Sequence, residues 1–188
     1  LLRGAPLEPG LVVLGDGGGG GVLGAVGGRL FLGGRLGARD MGLVGGGTEL
    51  AAMRELAKQL GVADYVTFTG RAPDAELLEM LNTADICVNP DRANDMNDRS
   101  TMNKIMEYMA LGKPVVTFLH DEAVRRTEEA YEIPVPIVNA APDALRHRLE
   151  ELVALGPDGR AALGARSRAY VEKVHDLERV TDRLLDLY

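Results

Sequence analysis

Along residues 43–188 apolar positions alternate between short contiguous runs and longer stretches spaced three and four apart, which is the signature of strands alternating with amphipathic helices. Leu50, Met53, Leu56 and Leu60 mark a helical stripe that begins after Thr48 and ends at Gly61. The β-branched and aromatic run 65–69 predicts a short strand. Pro73 suits the first turn of the following helix, where Asp74 and Glu76 favour the dipole and Leu77, Leu78 and Leu81 supply an inward face. Residues 86–88 then read as a brief buried strand. Further on, Met102, Ile105, Met106, Met109 and Ala110 follow the i, i+3, i+4, i+7, i+8 rule, with Ser100, Asn103 and Glu107 together on the flank. Gly112 fits the stop beyond a helix and Pro114 forbids continuation, so Val115 and Val116 begin a strand. Residues 120–139 suggest a polar helix and then an edge strand, because Pro134 and Pro136 each lack a ladder donor. Three helices follow at 142–155, 157–174 and 177–188, the last with Leu177, Val180, Leu184 and Leu187 on one apolar edge.

Strands and helices at this spacing imply an α/β fold with a mainly parallel sheet flanked by helices and joined by right-handed crossovers. Ligands of such sheets bind beyond the strand C-termini. Gly70–Arg71 and the loop that starts at Asn89 both lie at such ends.

The beginning of the chain has a different character. Of 24 glycines, 18 fall in residues 1–50, and Gly17 to Gly21 is uninterrupted. Backbone freedom of that order is costly to fix, so residues 1–42 read as a glycine-rich, degenerate first strand and helix, and residues 43–188 as the folded domain. Gly15, Gly17 and Gly20 satisfy the GxGxxG pattern after LVVL, but a glycine run does so almost automatically. Asp40 stands at the right distance to hold a ribose, yet it precedes a strand instead of ending one, which is the wrong context for a dinucleotide site.

At 188 residues with 46% hydrophobic content the chain can bury one sizeable core, so one domain is expected. A net charge of −7 argues against a nucleic-acid surface, and 4% aromatic residues leave little for base stacking. The opening residues carry no signal-peptide pattern and no apolar run is long enough to span a bilayer, so the expected location is cytoplasmic. Cys87 has no partner with which to form an internal disulfide, and the three histidines show no metal spacing.

The chemistry concentrates in residues 89–117, NPDRANDMNDRSTMNKIMEYMALGKPVVT. Ser100 or Thr101 can cap the free amides of the predicted helix, whose positive dipole end suits a phosphate, and Glu107 stands two turns further in. Such a segment can grip a nucleoside diphosphate. It resembles the donor-binding helix of the retaining glycosyltransferases of family 4, which have the GT-B architecture of two Rossmann-like domains. Residues 110–116, AlaLeuGlyLysProValVal, match the family's closing motif, and Glu107 stands at its second glutamate. The first glutamate would fall at Arg99; Asp98 is the adjacent acid, and the Asn-Asp-Arg-Ser-Thr-Met run looks like a subfamily trait. Residues 43–90 resemble the family's order of strand, glycine turn, helix, strand, Phe-x-Gly loop, helix and strand. The ending YVEKVHDLERVTDRLLDLY looks like its tail. Gly34–Arg35 resembles its early dipeptide, although no lysine follows before Lys58.

The resemblance covers about residues 43–188 and implies a single Rossmann-like domain, the C-terminal half of a GT-B enzyme that transfers a hexosyl unit. The implied donor-binding residues are Gly70, Arg71, Asp98, Arg99, Ser100, Thr101, Met102, Asn103 and Glu107. Gly70–Arg71 would contact the base largely through backbone groups, Arg99, Ser100 and Thr101 would face the diphosphate, and Glu107 would hold the ribose hydroxyls. No metal and no cofactor are expected beside the nucleotide-sugar. An enzyme of this architecture needs roughly two domains of about this size, so the acceptor domain is expected to be missing. The chain alone would then bind donor weakly and transfer nothing, and any peripheral attachment to a membrane would go through the missing half.

Each of these residues also has a plainer reading. Glu107 can be a solvated helix glutamate, Ser100 and Thr101 caps only, and Arg99 and Lys104 partners of nearby aspartates. Met102, Met106 and Met109 read as core filler. His120, at the end of the VVTFL run, sits where a ligand-facing residue can stand, but a lone histidine there also reads as structural. Two other functions share the pattern: a nucleotide-sugar epimerase half, and a non-catalytic nucleotide-binding module.

Overall fold

The computed structural model describes residues 28–33, 40–46, 49–89, 94–99, 103–131, 136–139 and 144–187. Six strands form one sheet: β1 (Gly28–Gly33), β2 (Asp40–Gly45), β3 (Val66–Gly70), β4 (Ala84–Asn89), β5 (Val115–Thr117) and β6 (Val138–Asn139). Their spatial order is β3-β2-β1-β4-β5-β6. β2 with β3, β4 with β5 and β5 with β6 pair parallel, whereas β1 is antiparallel to both β2 and β4. The order is that of a doubly wound nucleotide-binding sheet with its first strand reversed.

Among the described residues the strands are accompanied by seven α-helices: α1 (Leu50–Gln59), α2 (Asp74–Thr83), α3 (Asn103–Ala110), α4 (Asp121–Tyr131), α5 (Leu145–Ala154), α6 (Gly156–Val174) and α7 (Leu177–Leu185). The expected α/β architecture, mainly parallel and helix-flanked, is therefore present, and the proline-led strand near residue 138 is the edge strand β6. Asp40 opens β2, as its place in the sequence indicated.

The core lies where β4 and β5 meet α3, α5 and α6. Ile86, Val88, Val115, Val116, Tyr108 and Met109 are fully buried there, and each large apolar side chain removed from water is worth about 1.5–3 kcal/mol. Local assignments need correction at several points. Leu78 is 51% exposed because α2 turns Leu77, Met80 and Leu81 toward the sheet. On α3 the buried face is Ile105, Tyr108 and Met109, so Ala110, about 140° round the helix from Ile105, is exposed. Leu60 lies beyond the last turn of α1 and is exposed, while Ala57 takes the buried place. Tyr65 precedes β3 on an exposed turn, and Pro73 occupies the N-cap of α2 instead of its first turn.

The C-terminus of α3 stops as the sequence required. Gly112 adopts φ +66°, its amide bonds to the Met109 carbonyl at 3.0 Å, and the Lys113 amide bonds to the Tyr108 carbonyl at 3.0 Å. This is the paired 5→2 and 6→1 arrangement that satisfies carbonyls left over at a helix end. Pro114 then releases the chain into β5. α6 packs against this turn through Gly164, on which a methyl group would overlap the Gly112 carbonyl oxygen. Ser167, buried on the same helix, donates one hydroxyl hydrogen shared between the carbonyls of Leu163 and Pro136, each 3.2 Å away. α7 begins with the side chain of Asp176 accepting from the amides of Glu178 and Arg179, and it leaves Leu177, Leu184, Leu185 and Leu187 between 54% and 78% exposed. Among the described residues no helix is long and apolar enough to cross a membrane.

Candidate active site

The parallel strands end along one edge of the sheet, and the candidate residues on described segments gather at or beside it. β3 ends at Gly70, whose φ of +71° turns the chain outward, so that exposed Arg71 follows. Gly46, just past β2, lies against Arg71; a Cβ on this glycine would stand 3.8 Å from the Arg71 Cβ. Between β4, β5 and β6, Asn89, Thr117 and Asn139 stand in register as a polar row on three neighbouring strand ends. Asn139 is fully engaged: its Oδ1 accepts from the Leu119 amide at 3.0 Å, and its Nδ2 donates to the Leu119 carbonyl at 2.9 Å and to Asp121 Oδ1 at 2.8 Å. These bonds fasten the loop after β5 and the start of α4. Asn89 Oδ1 and Thr117 Oγ1 are buried and have no hydrogen-bond partner among the described residues.

Asp98 is held here by a contact that sequence reasoning did not foresee. The segment 94–99 is a single turn closed by Asn94, whose Oδ1 accepts from the amides of Met96 at 3.0 Å and Asn97 at 2.9 Å. From this turn Asp98 reaches the residue before α4: its Oδ2 is 2.5 Å from His120 Nδ1 and its Oδ1 accepts from the His120 amide at 3.2 Å. A carboxylate can only accept, so Nδ1 carries the proton in this pairing. The Asp98 side chain is 6% exposed. Burial raises its pKa, but the side-chain and backbone hydrogen bonds from His120, with the nearby charges of His120 and Arg126, outweigh it and hold the carboxyl below its ordinary value. Both carboxylate oxygens of Asp98 are thus engaged by His120. The clue in the sequence was the place of His120 just past a strand.

Arg99 closes the same turn. It is exposed; its amide donates to the Met96 carbonyl at 3.3 Å, and its side chain makes no hydrogen bond or ion pair among the described residues. Asn103 opens α3 and Glu107 follows one turn later, both exposed. Ser100, Thr101 and Met102 lie outside the described residues, as do the Gly15–Gly20 pattern and Gly34–Arg35. Gly33, the last residue of β1, sits opposite Asp40 and Ala84, the first residues of β2 and β4. The chain thus leaves β1 at the edge opposite to Gly70, Asn89 and Thr117. Lys113 precedes β5 on that opposite side and donates to the Asn82 carbonyl at 2.8 Å. Among the described residues no three His, Cys, Asp or Glu side chains gather as a metal site.

The geometry offers a rim of exposed polar and charged groups at the strand ends: Arg71 after β3, Arg99 on an anchored turn, and Asn103 and Glu107 on α3. Comparison with known proteins identifies the family. The sequence model of the family described as Glycosyl transferases group 1 matches residues 38–155, more than half of the chain. The GDP-mannose-dependent alpha-(1-6)-phosphatidylinositol monomannoside mannosyltransferases of Mycobacterium tuberculosis, from strain CDC 1551 / Oshkosh and strain ATCC 25618 / H37Rv, are each 31% identical over 134 residues. The match takes in 67% of this chain and 35% of each relative, so the chain spans about a third of their length.

Proposed function

The chain belongs to the group 1 glycosyltransferases, and on that premise we propose that it is the donor-binding domain of a retaining enzyme that transfers a hexosyl unit from a nucleoside diphosphate. The family match over 38–155 carries this reading, because it includes every described candidate residue at the strand C-termini. In the proposed complex the base lies near the backbone of Gly70–Arg71 and the ribose hydroxyls reach Glu107. The diphosphate rests where α3 begins, beside Arg99. Since the relatives are GDP-mannose-dependent by name, GDP is the first diphosphate to test and mannose the first sugar.

Transfer breaks the bond between the anomeric carbon and the diphosphate, whose oxygens keep the electron pair. Helix-end amides and a guanidinium aimed at those oxygens stabilise the developing charge, most effectively where water is excluded. On this reading the domain needs no metal, and acceptor binding and any attachment to a membrane belong to the remainder of a longer enzyme. The domain alone binds donor and transfers nothing.

Calorimetric titration of the chain with GDP, UDP and ADP, for wild type and Glu107→Ala, tests the proposal. Binding of one diphosphate, weakened about tenfold or more by the substitution, is the expected result. If none of the three binds, the donor-domain reading is wrong; if one binds and the variant is unchanged, Glu107 loses its role.

A further inference from the structure

A cation at a diphosphate site has to be held in place to be effective, since a long exposed side chain on an untethered loop gives back in entropy much of what it gains in attraction. The strand-end rim has two candidates among the described residues, Arg71 and Arg99. The side chain of neither makes a hydrogen bond or ion pair there. Their supports differ. Arg71 follows a left-handed glycine at the end of β3, with Gly46 beside it. Arg99 closes a turn fastened at both ends: Asn94 caps it within the loop, and Asp98 ties it to His120, 22 residues away in the chain.

His120 is itself fixed. Its carbonyl takes the first amides of α4, from Ala123 at 2.8 Å and Val124 at 3.4 Å, and the preceding residue, Leu119, is clasped by Asn139 through two hydrogen bonds. The chain of support therefore runs from the edge strand β6 through Asn139 and the loop after β5 to His120, then to Asp98 and the turn that ends in Arg99.

We propose that His120 is a positioning residue for the diphosphate of the donor: by giving Asp98 two hydrogen bonds it fixes the turn 97–99 and so presents the guanidinium of Arg99 to the phosphates. The inference rests on the nucleotide-sugar reading above. His120 touches no reacting atom in this scheme and acts only through Asp98 and Arg99.

The test is a set of titrations with whichever of GDP, UDP or ADP the wild-type chain binds, and with the matching nucleoside. His120→Ala should weaken the diphosphate about tenfold and leave the nucleoside unchanged. His120→Asn should recover most of the loss, because the amide Nδ2 can donate from nearly the position of Nδ1. Arg99→Gln should cost about as much as His120→Ala, and the double variant no more than either single one, since both remove the same contact. Arg71→Gln, by contrast, should multiply with His120→Ala.

Losses that multiply for His120→Ala and Arg99→Gln, an equal loss for the nucleoside, or failure of the Asn variant to recover affinity would each overturn the inference while leaving the donor-domain reading intact. If the wild type binds none of the diphosphates, both readings fall. Melting temperatures of the four single variants and the two double variants, taken alongside, separate a general loss of folding, which would weaken diphosphate and nucleoside alike, from the selective loss expected.

Discussion

The carbonyl oxygen of Gly112 occupies the space that a side chain on Gly164 would need, so the end of α3 and the middle of α6 touch backbone to backbone. Two glycines make this contact, and each has a different reason. Gly112 needs its positive φ to close the helix, and Gly164 must have no Cβ. Because α3 carries Asn103 and Glu107, the contact sets how far that helix stands from the core.

Gly164→Ala should lower stability by about 3 kcal/mol, near the upper end for overpacking, because the obstructing atom belongs to the backbone and cannot rotate away. The midpoint of urea unfolding measures it. A midpoint within error of wild type would mean that α6 does not approach so closely.

How much of this was legible beforehand depends on how local the cause is. The stop at Gly112 and Pro114, the interior strand β4 and the edge strand β6 each follow from a few adjacent residues, and the sequence announced them. The outward turns of Leu78 and Ala110 were misread because an apolar residue one position off the stripe looks like part of it until the packing partner is known. Tyr108, which the apolar stripe of α3 did not include, lies fully buried. The reversal of β1 could not be read from a glycine-rich stretch with few side chains to pattern. Least legible was the Asp98–His120 pair, which joins two loops through a crossover. Every candidate residue on a described segment falls inside the family match, while the hydrogen bonds from His120 to Asp98 are a contact that no local pattern announces.

Acid should weaken the Asp98–His120 tie in a defined direction. The Asp98 pKa is lowered in the folded chain, so its ionised form stabilises the fold above the ordinary carboxyl value of 3.8, and that contribution fades as pH falls through the lower folded value. Asp98→Asn should therefore melt below wild type at pH 6, with the gap closing as pH approaches about 2. Scanning calorimetry at several pH values gives the comparison. A gap of constant size would show that ionisation of Asp98 adds nothing to the fold.

Thr117→Val replaces a buried hydroxyl that lacks a partner among the described residues with a methyl of similar shape. Leaving a buried polar group unsatisfied costs roughly 1–3 kcal/mol, so the variant should be more stable, by about 1 kcal/mol or roughly 2–4 °C for a chain of this size. A lower melting temperature would mean the hydroxyl is hydrogen-bonded after all.

Exposure along α7 should make that helix tolerant of polar substitution. Leu184→Gln and Leu187→Gln together are expected to leave the melting temperature within about 1 °C of wild type, as surface changes usually do. A clear drop would show that these leucines are covered in solution.

Reversing β1 also changes the order in which the sheet can assemble. Because β1 and β2 run antiparallel and are joined only by residues 34–39, they can zip together as a hairpin on the microsecond scale typical of such units. Each parallel pairing, in contrast, must wait for an intervening helix to close its crossover. A strand at the centre of the finished sheet is thus available from the outset, and β4 has a template to join as soon as α2 folds back.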